Sequence, residues 1–205
     1  MMRPRLRVLG LILLSLAVIP VMPAYGYRLT YREQLYELYH RQFTMYPERI
    51  AENVYWLEQA LRSDFANPLN ALAHIENDRE WEWYRYLFTM HINLRLVDLY
   101  LLWGAQYMKF EAYFYNAPWQ RENLASLDRA EALFRYARRY WEDAQHWSQQ
   151  AAPFRFVHLE EIQYWEDEHH RIRTGDLDYG RIIDRHLDHV AEVRAAFAAM
   201  DEDTY

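Results

Sequence analysis

Apolar residues recur at three- and four-residue intervals along most of this chain, and between residues 81 and 117 they spread around nearly the whole helical cylinder. Phe88, Ile92, Leu96, Leu99, Trp103 and Tyr107 form one stripe, and Leu87, Leu94, Val97, Leu101 and Leu102 widen it. The stretch Trp81–Ala117 holds no proline and one interior glycine, Gly104, so nothing in it forces a long helix to stop. Continuous, it would span about 50 Å at 1.5 Å per residue. Gly104 marks either a close crossing or the internal turn of a helical hairpin. A surface apolar on so many sides demands several neighbours, which predicts a central place in the packing.

The flanking segments follow the same period. Thr30 with Glu33 fits a capping box, and Tyr31, Leu35, Leu38 and Phe43 predict a short first helix. Pro47 fits the first turn of a second, whose stripe is Ile50, Val54, Leu57, Leu61 and Phe65. ANPLNALA around Pro68 reads as a connection, Asn77 with Glu80 starts the long helix, and Pro118 ends it near Asn116. A further helix is predicted over about Ser126–Gln149, with Leu127, Ala130, Phe134, Ala137, Tyr140, Trp141 and Ala144 inward. Another covers roughly Val157–Arg173, with Leu159, Ile162, Trp165 and Ile172 inward, before a stop at Gly175. The last begins at Asp176 or Asp178 and carries Ile183, Leu187, Val190, Phe197 and Met200. No segment alternates with the two-residue period of a strand. The fold class is therefore all-α, an irregular antiparallel helical bundle or a short array of helical hairpins. Residues 27–200 form one all-helical domain, and 201–205 an acidic tail.

The amino terminus changes the picture of where this bundle works. Arg3, Arg5 and Arg7 precede the apolar run VLGLILLSLAVI, and PVMPAYG supplies small residues for cleavage after Ala24 or Gly26. Residues 1–26 thus read as a signal peptide, with an uncleaved anchor as the competing reading, although the run is short for a membrane span. No cysteine is present for a lipid or a disulfide. The expected destination is the periplasm, with no mature transmembrane span and with peripheral association to an inner-membrane complex compatible. Removing three arginines takes the net charge from −7 to about −10, which excludes a general nucleic-acid scaffold. Aromatic residues make up 17% of the chain, 18 of them tyrosine and 8 tryptophan, more than a core of this size requires.

Three groups of side chains carry candidate chemistry. On the long helix, His91, Arg95 and Asp98 share a face inside an apolar run, and read first as a structural polar seam in which Arg95 pairs with Asp98. Carboxylate–histidine pairs three residues apart occur at Glu37/His40, Asp143/His146 and Glu166/His169. A di-metal bundle needs two such pairs and further inward carboxylates, which are not evident. A zinc alternative uses Glu166, His169, His170, His186 and His189, if the last two helices form a hairpin. The EDEHH run that holds Glu166, Glu168 and His170 reads otherwise as a solvated face. There is no HExxH, no phosphate-binding glycine loop and no cysteine nucleophile, so no catalytic residue and no cofactor are assigned. The aromatic residues Tyr84, Tyr86, Trp103, Tyr107, Tyr113, Tyr115, Trp141 and Trp147 are the better recognition candidates.

Within LLWGAQYMKFEAYFYNA, Trp103, Gly104 and Tyr107, followed by a small residue near Ala117, resemble part of a tetratricopeptide repeat. RAEALFRYARRYWEDA is similar to a repeat helix in its alanine and aromatic spacing. No clean second copy follows at the period of about 34 residues, and the small residue after Tyr107 is displaced. The resemblance implies helical hairpins that close on small residues. Export signal, acidic aromatic helices and degenerate repeat character together are similar to periplasmic scaffold proteins of spirochaetal flagellar motors, and imply an adaptor in the periplasmic collar with partners in the same assembly. The leading functional reading is a noncatalytic periplasmic adaptor, not an enzyme, that joins envelope proteins. The alternatives are a metal-dependent envelope enzyme built on the C-terminal His/carboxylate cluster, and a periplasmic protein binding a glycan or small ligand.

Overall fold

The computed structural model describes residues 29–108, 117–154 and 157–204. The signal segment 1–26 and the candidates Tyr113 and Tyr115 lie outside the described residues. Six α-helices follow one another: α1 (Arg32–Met45), α2 (Ile50–Arg62), α3 (Asp78–Tyr107), α4 (Gln120–Ala151), α5 (Gln163–Thr174) and α6 (Tyr179–Ala198). Short 3₁₀ turns lie at Pro68–Asn70, Ala117–Trp119 and Glu160–Ile162, and no strand occurs among the described residues.

The start of α3 follows its sequence signal. The Asn77 side chain accepts from the N–H groups of Arg79 (3.1 Å) and Glu80 (3.0 Å), while Glu80 reaches back to the N–H of Glu76 (2.7 Å). These bonds satisfy donors that the first turn leaves open. The other end departs from expectation. Rather than running to Asn116, α3 stops at Tyr107, and Met108 is extended with φ −73° and ψ 125°. Ser126, from the first turns of α4, donates its hydroxyl to the Tyr107 carbonyl at 2.8 Å, supplying a partner that the helix end lacks.

Gly104 lies within the helix and marks a close crossing. A Cβ built there would meet Phe134 of α4 at 2.5 Å, so only a hydrogen fits between the two helices. Phe134 is fully buried and stacked on His186 of α6, with centroids 4.7 Å apart, so its ring has nowhere to retreat. Gly104→Ala gains about 1 kcal/mol of helix propensity, but overpacking costs about 1–3 kcal/mol. The expected net result is destabilisation, larger for Gly104→Val and partly reversed by adding Phe134→Leu. Urea unfolding of the four variants checks this, and an alanine variant more stable than the parent contradicts the crossing.

The long helices α3 and α4 run antiparallel, with Gly104 against Phe134, Tyr100 against Tyr140 and Tyr86 against Trp147. The α4 stripe of Leu127, Ala130, Phe134, Ala137, Trp141 and Ala144 is buried throughout. The hairpin of α1 and α2 covers another side of α3, α5 crosses a third, and α6 lies along α4. Every residue of α3 from 87 to 94 is consequently buried. The architecture is an irregular antiparallel helical bundle.

Three local expectations shift for identifiable reasons. The cap of α1 is formed by Gln34, whose side chain accepts from the N–H groups of Thr30 (3.1 Å) and Tyr31 (3.2 Å), so the Thr30/Glu33 box moves by one residue. Glu33 instead turns inward to accept the Ala66 N–H at 2.9 Å, and its burial raises the carboxyl above its ordinary range. Pro47 occupies the turn ahead of α2 rather than its first turn. The helix expected from Val157 begins only at Gln163, because the Glu166 carboxylate draws in the Leu159 N–H at 2.9 Å and holds the lead-in segment against the first turn. Gly175 ends α5 in the left-handed region at φ 81°, and Asp178 caps α6, both as the sequence predicts. Residues of the acidic tail fold back, the Thr204 carbonyl accepting from the Ala117 N–H at 3.0 Å.

Candidate functional site

Where α2, α3 and α4 meet, the helices leave a cleft of about 640 Å³. Tyr100 and Trp103 stand three residues apart on α3, and Tyr136 and Tyr140 four apart on α4, so each pair shares one face of its helix. Antiparallel packing then brings the four rings together. Tyr100 stacks with Trp103, Tyr136 and Tyr140 at centroid distances of 6.1, 5.4 and 5.5 Å. One carboxylate oxygen of Glu58, from α2, accepts from the hydroxyls of Tyr100 and Tyr140, both at 2.8 Å, and its other oxygen faces Arg62 at 3.3 Å. Burial first, then the hydrogen bond to Glu58 and its charge, push both phenols well above their ordinary range, so they remain donors. Tyr136 is 50% exposed, and Leu61, Leu133, Arg62, Arg139 and Asp143 also line the cleft. The arrangement offers ring faces with two guanidinium and two carboxylate groups around them, a surface suited to recognition.

A second constellation lies between α1, α3 and α5. Glu168, 2% exposed, accepts from His91 Nδ1 at 2.6 Å through one oxygen and from Arg95 at 2.7 Å through the other. Since the carboxylate can only accept, His91 carries its proton on Nδ1, and Tyr36 must donate to Nε2 at 2.8 Å. Arg95 also pairs with Asp98 at 3.3 Å, and Asp98 in turn accepts from the Tyr179 hydroxyl at the start of α6. The imidazole stacks on Trp165 at 5.1 Å, and Phe88 stacks on the same indole at 4.9 Å. Burial lowers the His91 pKa against the opposing pull of Glu168. For Arg95, burial works against the charge, but Asp98 and Glu168 outweigh it and keep the guanidinium charged. Asp98 is itself raised by burial. Beside this network lies a cleft of about 300 Å³, lined in part by Tyr36, Tyr39, Phe43 and Tyr164. His91, Glu168, Arg95 and Asp98 thus spend their polar atoms chiefly on one another, and the arrangement ties α5 and α6 to α3.

Residues 79–200 match the family described as a domain of unknown function (DUF8513), a span of more than half of the chain. The protein belongs to the DUF8513 family. No curated protein and no solved structure matches it. In this DUF8513 chain the matched span takes in nearly all of α3, then α4, α5 and α6, hence His91, Arg95, Asp98, Glu168 and Tyr179, while Tyr36 and Glu58 come from the preceding hairpin.

The aromatic candidates separate into groups. Trp103 lines the large cleft. Tyr84 and Trp141 are core residues, 0% and 4% exposed, and cannot offer a ring to a partner. Tyr86 and Trp147 stack on each other at 5.9 Å in a different cleft. Tyr107 lies under the guanidinium of Arg129 at 5.8 Å. The seam residues His91, Arg95 and Asp98 do meet: Arg95 pairs directly with Asp98, and Glu168 joins Arg95 to His91.

The zinc alternative does not assemble. Glu166 accepts from the Trp83 indole and the Leu159 N–H and pairs with His158. His169 points into the core against Ser148, His170 is exposed, His186 stacks on Phe134, and His189 lies near Glu192. The physical reason is that α6 packs along α4 instead of forming a hairpin with α5. Among the described residues no three histidine or carboxylate side chains are grouped to hold a metal.

Sequence reasoning missed Glu168, Tyr36, Tyr179 and Glu58. For Glu168 a signal existed, because the stripe Ile162, Trp165, Ile172 requires an inward residue at 168 or 169. The EDEHH charge density concealed it.

Proposed function

We propose that this protein is a noncatalytic helical adaptor, exported to the periplasm by its amino-terminal segment, which docks an envelope-associated protein on the aromatic cleft between α2, α3 and α4. The observation that carries this reading is the ring wall of Tyr100, Trp103, Tyr136 and Tyr140, buttressed by Glu58 and left open at Tyr136. Aromatic side chains with few rotatable bonds lose little entropy when a partner covers them, and such residues dominate binding energy at protein interfaces. Arg62 and Arg139 beside Glu58 and Asp143 give the surface both signs of charge, which orients a partner rather than attracting any polyanion. No described helix is long and apolar enough to cross a membrane, in keeping with peripheral attachment. The sequence resemblance to motor collar scaffolds is the ground on which we extend the proposal to the periplasmic flagellar motor as the setting.

In-cell crosslinking with the native amino terminus intact tests the proposal. A defined envelope protein is expected to crosslink to the parent chain, and Trp103→Ala with Tyr136→Ala to cut its yield by about tenfold, since two central aromatic residues contribute roughly 1–2 kcal/mol or more. An unchanged yield in a folded double variant, or no envelope partner, removes the reading. Recovery of a protein outside the motor overturns the motor setting alone.

A further inference from the structure

Arg85 of α3 is half-buried, and among the described residues no carboxylate pairs with it. Its Nε is shut off from solvent without an acceptor, and among the described residues its side chain makes no hydrogen bond or ion pair. The Trp81 ring centroid lies 5.8 Å from its guanidinium carbon. One turn back, Glu82 takes the Tyr86 hydroxyl at 2.8 Å and forms no ion pair with Arg85. A guanidinium held in this way, in an acidic chain with carboxylates to spare, is an unfilled requirement.

The surroundings explain what would fill it. Arg85 lines a cleft of about 510 Å³ between α1, α3 and α4, distinct from the aromatic cleft above. Tyr86 and Trp147 form an apolar wall, and His146 and Gln150 lie on the same side. Among the described residues, no aspartate or glutamate lines it. Arg32, the other arginine there, is already committed. It donates to the carbonyls of Ala60, Leu61 and Ser63 at the end of α2 and to the Thr89 hydroxyl, with Glu33 and Asp64 close to its charge. Thr89 spends its own hydrogen on the Arg85 carbonyl at 2.8 Å. Among the described residues of the cleft, Arg85 therefore remains the uncommitted guanidinium, beside ring faces and a side-chain amide.

We propose that this cleft binds a small organic monocarboxylate with an apolar or aromatic body. The carboxylate takes the two terminal Nη groups of Arg85, which unlike Nε are not shut off from solvent, a planar match of two acceptors to two donors, and the body lies against Tyr86 and Trp147. A single compensating charge favours a monoanion, because a phosphate monoester dianion would leave one negative charge unmatched in a half-buried site. The volume lies within the ordinary range for small-molecule sites, about 300–1,000 Å³.

The test titrates 3-phenylpropionate into the full chain, followed by the indole ¹H–¹⁵N resonance of Trp147, with 3-phenylpropanol and phenyl phosphate as comparison probes. Saturable shifts are expected with 3-phenylpropionate at about millimolar concentration or below. Binding by the neutral alcohol should be at least about tenfold weaker, the difference of one charge-assisted fork. Arg85→Gln should remove the preference for acid over alcohol, and Arg85→Lys, which keeps the charge, should retain part of it. Circular dichroism of both variants establishes that they fold, and the wild-type comparison of acid with alcohol stands without them. Equal binding of acid and alcohol, no saturation, or stronger binding of phenyl phosphate overturns the proposal. None of these outcomes bears on docking at the Trp103 cleft.

Discussion

Glu168→Ala is expected to lower the unfolding free energy by about 3–5 kcal/mol, the usual cost of removing one partner from a buried ion pair. The carboxylate holds two elements of α3 at once, His91 at 2.6 Å and Arg95 at 2.7 Å, from a residue only 2% exposed. Without it, the Arg95 charge retains only Asp98 and the His91 Nδ1–H faces an empty space. Glu168→Gln should cost less. Its carbonyl can still accept from Arg95, but its amide must donate toward His91, which forces the imidazole proton onto Nε2 and turns Tyr36 from donor to acceptor. The expected order of stability is therefore wild type, glutamine, alanine. Urea midpoints at constant m measure it. An alanine variant within about 1 kcal/mol of the parent would mean that the network contributes little to holding α5 on α3.

Acid should weaken the fold through His169 by about 3 kcal/mol between pH 6.5 and pH 4. This imidazole, 7% exposed, lies edge-on to Trp83 with its Nδ1 2.9 Å from the Ser148 hydroxyl. Burial, and then the charges of Arg173 and His170, push its pKa from 6.5 down to about 4. The unfolded chain takes up this proton near pH 6.5, whereas the folded chain resists until about 4. Between those values the unfolded state binds more protons, so stability falls as pH falls. The contribution is complete above pH 6.5 and lost as pH drops through 4. His91 is lowered by burial and acts in the same sense, while Glu33 and Asp98, both raised, act in the opposite one. The isolating measurement is the difference between wild type and His169→Gln, a variant that keeps a polar partner for Ser148 but cannot titrate. That difference should shrink or reverse toward low pH. Parallel pH profiles for the two proteins would assign the acid response elsewhere.

Much of the fold was legible because helix boundaries and buried faces are local properties. Asn77 and Glu80, Asp178 and Gly175 act within one turn of their own positions, and each was readable from neighbouring residues. The α4 stripe from Leu127 to Ala144 was likewise readable, since burial on one face imposes a 3.6-residue period on the chain itself. Misplacements came where a distant residue intervened. Ser126 reaches the end of α3, Ala66 takes Glu33 away from its cap, and Glu166 holds back the start of α5.

The sites were less legible than the helices. His91, Arg95 and Asp98 declared themselves by lying on one face of an apolar helix, but the acid that joins them sits on α5, inside a run that reads as solvated. Trp103 was recognisable as a large aromatic residue. Its partners Tyr136, Tyr140 and Glu58 were not, because their grouping depends on the crossing of three helices. The same crossing sends His169 and His186 into different surroundings and disperses the zinc alternative.

By itself, then, the sequence determined an all-helical chain and the central place of the stretch around Phe88 to Trp103, and marked Gly104 as either a close crossing or a turn, a choice that the packing of Phe134 against it decided. Periodicity and the missing Cβ are carried by the residues themselves. Only the tertiary structure decided which charges meet and which rings share a cleft. A contact between α3 and α5 depends on the angle and register at which two helices cross, and those are set by the packing of every side chain between them rather than by any one segment.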